Sequence, residues 1–463
     1  MAHATGNGVA GRHIGRAERY AAGRAMRDRV PREALADCPL PAGRDPVAIL
    51  HETDAERIPE ILAERYKRMM KSPFAFLRGA AAVMAQDLAG QPMAGIPVQA
   101  CGDCHLMNFG AFNTAEGRVL FNINDFDETL PQVDFTVDLK RLAASVAVAA
   151  IDAHMPDKKA RALAEVTVKS YREFLLELAT QPPLEIWYTR MDVAREVKKI
   201  SDDKLREKIF STLVKAKKDL AADDNFPHLA TTNGDTARIE DRQPLICHFD
   251  TEALKPYKIH AHSAFANYRG TLLPERRKLA EHYDLIDLAL KVVGVGSVGT
   301  FCAIGLFMTS DGEHLFLQVK QALHSVLEKL AAPPLDLTHQ GARVVEGQRA
   351  MQAASDIFLG WTEDPKTGRY FYVRQLKNRL LGSISEVMES GGLDAYASLC
   401  GRTLARAHAR TGDPVLLAGY MGKSEVLDDA LASFAMAYTA QTKHDHAQLI
   451  KAAHPEKAGL AAE

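Results

Sequence analysis

The chain has 463 residues, 47% apolar and 25% charged, enough to bury the core of two or three domains or of one large two-lobed enzyme. Its 57 lysines and arginines against 59 acidic residues leave a net charge of −2, which excludes bulk attraction to nucleic acid or to an anionic membrane. Any anionic substrate must therefore be met by local cations.

Residues 1 to 45 carry Arg, Gly and Pro without apolar periodicity and read as a partly mobile arm. The stretch from Met1 to Arg24 is polar and basic and has no apolar core of signal-peptide length, and the six cysteines are scattered, so a cytoplasmic protein with reduced thiols is expected. From Thr53 the pattern is helical, with Ile58, Ile61, Leu62 and Tyr66 on one face. Ser72-Pro73 restarts a helix that runs to Gly90, Ser as its N-cap and Pro in its first turn. Arg65, Arg68 and Arg78 on these helices read as solvated or paired side chains.

Residues 97 to 141 hold the most informative polar group. Val98 to Cys101 and Arg118 to Ile123 alternate like short strands, so Asp103, Asn108 and Asp125 fall at strand ends and on the joining loop, where catalytic groups usually sit. Phosphoryl transfer needs a carboxylate to accept the nucleophile's proton, hard oxygen ligands for magnesium, and cations on the phosphates. This stretch offers the first two. Turn chemistry would also gather Asp and Asn in a surface loop. A further reading is Cys101-Gly102-Asp103-Cys104-His105, a C-x-x-C-H that spells haem attachment, thiol redox chemistry or half a zinc site; haem attachment needs export, and no second C-x-x-C completes a zinc site.

Asp134 opens a long helix through Ala150, whose apolar run from Leu142 to Ile151 is too short to span a bilayer. Helices are expected over Asp157 to Ala179, Leu184 to Ile200 and, charged, to Ala222. Residues 223 to 256, with Asn233-Gly234, read as an irregular excursion; His228, His248, His260 and His262 in or near it fit no zinc spacing. A helix from Pro274 to Lys291 leads to a strand at Val292 to Gly294 and a Gly294-x-Gly296-x-x-Gly299 run, which dinucleotide-binding folds and kinase nucleotide loops share. The strands Phe301 to Met308 and Leu315 to Lys320, joined by Ser310-Asp311-Gly312, make a hairpin where a dinucleotide fold needs a helix. A helix over Gln340 to Ser355, strands at Ile357 to Trp361 and Tyr370 to Leu376 leading to a hinge, helices at Leu393 to Arg410 and Ser424 to Lys451, and a frayed KAGLAAE end complete the chain.

Gly102-Asp103, then Asn108, then Asp125-Phe126 resembles the protein-kinase-like and aminoglycoside-phosphotransferase-like pattern. The resemblance implies Asp103 as catalytic base and Asn108 and Asp125 as magnesium ligands, with His105 and Asp127 supporting them and Asp138 bracing the loop. It departs at Cys101, where such families often carry His, and at Asp127, where kinases carry Gly. It further implies Gly294, Gly296, Ser297 and Gly299 closing over ATP, Lys320 on the phosphates, and Glu346, with Glu328 as rival, pairing with Lys320. Because the glycine loop follows the catalytic loop, the order implies an α+β, two-lobed, circularly permuted kinase-like fold. Its parts are an N-terminal arm and helices (1–95), a helical catalytic lobe (96–285), a small antiparallel β lobe clamping the nucleotide (286–378) and C-terminal helices returning to the large lobe (379–463).

The expected function is an ATP- and magnesium-dependent phosphotransferase on a small-molecule acceptor, because Asp127 and Glu128 resemble the acidic run of small-molecule phosphotransferases. A nucleotide-binding scaffold without transfer is the alternative, motivated by the missing Gly after Phe126. Neither nucleic acid nor membrane is an expected partner. Over nearly the whole chain, SPFAFLRGAAAVMAQDLA, GDCHLMNFG, NDFDETLP, VVGVGSVGT and EGQRAMQAASDIFLGW look like a bacterial family catalogued as domain of unknown function 2252, which implies no substrate.

Overall fold

Three helices start on one local device: Asp45, Ser72 and Asp413 each accept backbone N–H bonds of the first turn, and a proline follows where the helix needs no donor. The computed structural model describes residues 14–198, 203, 206–207, 229–233, 236–250, 252, 254–335, 337–376 and 392–453. Apart from residues 203, 206 and 207, the charged helix expected up to Ala222 lies outside those residues, as do the hinge after Leu376 and the KAGLAAE end.

The expected arm is, from Arg16 on, a packed helix. α1 (Arg16–Ala25) lies on the helix at 414–421 through Gly23 and Gly419, where a methyl group would strike the Leu416 or Tyr20 carbonyl. Arg27 and Arg32 then donate to the carbonyls of Gly419, Tyr420 and Met421, so contact is made by glycine and arginine with no apolar stripe to read. α2 (Pro46–Asp54) and α3 (Pro59–Met69) follow. The helix expected over Ser72 to Gly90 is two, α4 (Pro73–Gly79) and α5 (Ala81–Leu88), because Ala80 leaves helical geometry where buried Arg65 takes the Gly79 carbonyl at 3.1 Å.

β1 (Pro97–Ala100), β2 (Phe109–Asn113), β3 (Val119–Ile123) and β4 (Leu130–Asp134) form two antiparallel pairs, β1 with β4 and β2 with β3. Asp134 then caps α6 (Phe135–Asp152), which is buried from Phe135 to Ala150, and α7 (Asp157–Leu178) packs on it. The helix expected over Leu184 to Ile200 is split into α8 (Pro183–Tyr188) and α9 (Val193–Val197), since Thr189 turns extended and Asp192 re-caps the chain. The irregular excursion contains β5 (Ala230–Asn233), β6 (Thr236–Ile239) and β7 (Ile246–Cys247), before α10 (Ala261–Thr271) and α11 (Pro274–Ala280).

The expected helix up to Lys291 stops at Ala280. Its second half is β8 (Asp284–Lys291), whose pairing with β9 (Cys302–Met308) overrides a run ambiguous between the two periods. The expected strand at Val292 to Gly294 is loop. β10 (His314–Gln321), α12 (Gln340–Met351), β11 (Gly360–Glu363) and β12 (Tyr370–Gln375) complete an antiparallel sheet ordered β11-β12-β10-β9-β8-β7. α13 (Leu393–Thr411), an unexpected α14 (Pro414–Met421) and α15 (Val426–Ala453) close the chain. The result is a mixed α+β protein. One apolar core joins α6, α7, α12 to α15 and the two small β pairs; two others cover the faces of the six-stranded sheet.

Candidate functional site

Strand periodicity sorts the sheet's side chains. On β10, Leu315, Leu317 and Val319 enter one core, and on β12 Phe371 and Val373 do the same. The alternate residues Gln318, Lys320, Tyr372 and Arg374 therefore share the opposite face, Lys320 opposite Tyr372 and Gln318 opposite Arg374. That face meets the loops of the small β pairs across a cleft. One chamber, about 400 Å3, is lined by Lys320, Arg374, Asp125, Asn124 and Phe112, with Gln348, Gln352 and Asp356 from the α12 side. A neighbouring chamber of about 150 Å3 holds Asp103, His105, Asn108, Asp127, Glu128 and the glycine loop. Both are lined by Arg78, Asp125, Gly294 and Ser297.

The β1–β4 pair brings the start and end of the polar stretch together. Gly102 has φ +93°, and any side chain there would collide with the Glu128 backbone. Asp138, at the start of α6, accepts from the Cys101 amide at 2.7 Å and the Gly102 amide at 3.0 Å. Behind it, His408 Nε2 stands 3.2 Å from the Asp138 carboxylate and His408 Nδ1 is 2.9 Å from the Tyr171 hydroxyl, so α7 and α13 also reach the loop. Asn108 donates to the Asp103 carbonyl, and the Asn124 amide donates to the Asn108 carbonyl at 2.8 Å. The Asp103–Asn108 interval and the hairpin base thus place Asn108 beside Asp125.

Asp103 accepts from Arg141 Nε at 2.6 Å, and His105 Nε2 stands 3.6 Å from its other oxygen. Burial raises its carboxyl above the usual carboxylate range, although Arg141 opposes the shift. Lys320, distant in sequence from the loop, is ion-paired with Asp127 and lies 3.6 Å from Asp125, so the lysine and the expected metal aspartate do face one cleft. Tyr372 and Ser297 also donate to Asp127. Burial pushes Asp127 up, but the Lys320 ammonium with its hydrogen bond, the Tyr372 hydroxyl and the Arg374 charge outweigh it and hold the carboxyl below its usual value. Asp125, left with burial and the neighbouring Asp127 charge, is raised. Lys320 loses by burial and gains more from the two aspartates, so it stays firmly cationic.

Glu346 does not pair with Lys320. It is exposed on α12, whose inward positions are Arg343, Gly347 and Gln348, and the rival Glu328 bonds His324 instead. The lysine's partner is Asp127, the residue that broke the kinase pattern. Arg343 was also missed by sequence reasoning; it donates to the carbonyls of Asp127 and Leu323, each at 2.8 Å.

The glycine loop between β8 and β9 lies over the second chamber. Gly294 (φ +68°) and Gly299 (φ +92°) adopt left-handed backbone, and at Gly296 a side chain would press on the Arg78 carbonyl 2.9 Å away. Arg57 donates to the Gly296 carbonyl at 2.9 Å and Arg68 to that of Gly294 at 2.6 Å.

The oxygen donors Asn108 and Asp125 suit a hard cation such as magnesium, and a divalent charge there would relieve the repulsion between Asp125 and Asp127. Among the described residues, the cluster whose donor atoms all lie within 4.8 Å is Cys101, Cys104 and Asp138. It is fully buried, and both oxygens of Asp138 already accept backbone bonds, so a tetrahedral ion would find three donors at most. Burial raises both thiols, the opposite of a reactive pair, and 0% exposure leaves no room for a haem. No described helix is long and apolar enough to cross a membrane.

A family model described as "Uncharacterized protein conserved in bacteria (DUF2252)" matches residues 57–452. No curated protein and no solved structure matches.

Proposed function

The chain belongs to the bacterial family DUF2252, whose description gives no reaction, and from the cleft we propose a magnesium-dependent phosphotransferase that moves the γ-phosphoryl of ATP to a small acceptor. The observation that carries this reading is the meeting of Lys320 with Asp125 and Asp127 beneath a glycine loop and beside Asp103 and Asn108. Under it the arrangement is a permuted, kinase-like one, with the six-stranded sheet as the nucleotide clamp.

Each group has a task. The glycine loop amides and Lys320 hold the triphosphate along the sheet face. Asn108 and Asp125 would hold magnesium, which supplies charge neutralisation at the phosphate oxygens. Asp103 accepts the proton of the acceptor hydroxyl or amine as the new bond to phosphorus forms. The bond from phosphorus to the bridging oxygen breaks, and its electron pair leaves with ADP. Burial, by raising the Asp103 carboxyl, makes it a stronger base than a solvated aspartate. Asp127 keeps Lys320 charged and in place before nucleotide arrives.

Calorimetry of the purified protein with a non-hydrolysable ATP analogue, with and without magnesium, tests the reading. Magnesium-dependent binding is expected; no binding at millimolar nucleotide by folded protein removes it. A second reading, a nucleotide-binding scaffold without transfer, is favoured by one contact. Arg141 clamps the Asp103 carboxylate, which weakens it as a base. Turnover separates the two, because a scaffold binds nucleotide and yields no phosphorylated product.

A further inference from the structure

The two chambers divide the proposed chemistry, and the wall they share has one cation. Lys320 and Arg374 stand on the sheet side, whereas Asp103, Asn108 and His105 stand on the acceptor side. A phosphoryl group moving between them must cross where both chambers meet, at Arg78, Asp125, Gly294 and Ser297. Arg78 is the only cationic residue among the described residues that lines both, and its positive charge is close enough to Asp103 to favour that carboxylate. We propose that the Arg78 guanidinium contacts the phosphoryl group in transit, a catalytic role that rests on the phosphotransferase reading above.

The charges nearby explain the need. Asp125 stands at the crossing and Asp103 and Asp127 line the smaller chamber beyond it, so a group carrying further negative charge must pass toward three carboxylates. Lys320 is ion-paired with Asp127, and Arg141 is bonded to Asp103 and to the Leu77 carbonyl. Arg78 sits one residue beyond that carbonyl, in the last turn of α4, and its own carbonyl lies under Gly296 of the loop. Its backbone therefore lies against the glycine loop, one residue from the carbonyl that Arg141 holds beside the catalytic loop. A guanidinium can take two phosphoryl oxygens at once, where an ammonium offers a point charge. In transfer, as the acceptor atom bonds to phosphorus and the bridging bond breaks toward ADP, Arg78 meets charge that the ground state holds elsewhere.

The test compares MgADP with MgADP plus aluminium fluoride, which imitates the phosphoryl group in flight. Wild-type protein is expected to bind the fluoride complex far more tightly than MgADP. Arg78→Ala is expected to keep MgADP affinity within about twofold while losing roughly 100-fold of the fluoride gain and of turnover. Arg78→Lys, which keeps the charge and loses the fork, should fall between them and guards against a folding defect in the alanine variant. An unchanged fluoride gain in either folded variant overturns the role of Arg78 alone. If wild-type protein binds MgADP with no fluoride gain, nucleotide binding stands and transfer, with Arg78, falls. If it binds no MgADP, both proposals fall.

Discussion

Asp103 is pulled two ways, by burial that favours its protonated form and by Arg141 that favours the carboxylate, and the balance leaves it raised. Turnover should therefore need a pH above that raised value and decline as acid protonates the base. Asp103→Asn keeps the size and the hydrogen bonds but accepts no proton. Nucleotide affinity is expected to survive while turnover drops by roughly 10²- to 10⁴-fold, read from steady-state rates beside calorimetry. Glu128 gives a stability test. Burial pushes its carboxyl up to about 7 in the folded protein, against an unfolded value of 4.5. An acid raised on folding leaves stability intact below the unfolded value and erodes it as pH climbs through the folded one. Glu128→Gln, which can still accept from the Val326 amide, should raise the melting temperature more at about pH 8 than at about pH 5. Equal gains at both pH values would show that the carboxyl ionises freely in the fold. Asp103, Asn108 and Asp125 were legible from interval and loop chemistry. Asp127 was legible as a departure from pattern and as a supporting carboxylate but not as the partner of Lys320, and Arg78 read as a solvated or paired helix charge, because one sequence does not reveal which face of α4 the loops cover.

At the scale of elements, the helix at 414–421 and its seat for α1 escaped the sequence because the contact is made by absence of side chains. Gly419→Ala places a methyl against the Tyr20 carbonyl and should cost about 1–3 kcal/mol, as overpacking does, measured by denaturant unfolding. If the N-terminal segment were the loose arm its composition suggests, the change would cost nothing measurable. The hairpin of β9 and β10 was readable from β-branched and aromatic residues around a turn, and so was the lysine at its end. β8 was not, since its aliphatic residues suit a helix as well as a strand and only the β9 partner decides. The strand before the glycine loop was placed too late for the same reason: it ends at Lys291 and does not run through Val292 to Gly294.

For the whole molecule, Lys320 and Asp127 stand 193 positions apart and form one ion pair, so nucleotide should couple two regions with no sequence connection. Hydrogen exchange is expected to slow together over 101–108 and 292–300 when MgATP binds, and Asp125→Ala should abolish the magnesium dependence of that protection. Protection of one region without the other would place the ligand elsewhere. The clamp also has an unusual suspension. Arg57 and Arg68, from outside the sheet, hold the carbonyls of Gly296 and Gly294, and Ser297 is latched to Asp127. A flap pinned at its crest opens only when several bonds break together, so under the proposed phosphotransferase reading entry and departure of nucleotide would be slow gated events. Association should fall below the usual range of about 10⁵–10⁷ M⁻¹s⁻¹, and Arg68→Ala should speed both arrival and escape while leaving equilibrium affinity nearly constant. Such a catalyst would hold its product long after the bond has formed, and its pace would be set by the latch.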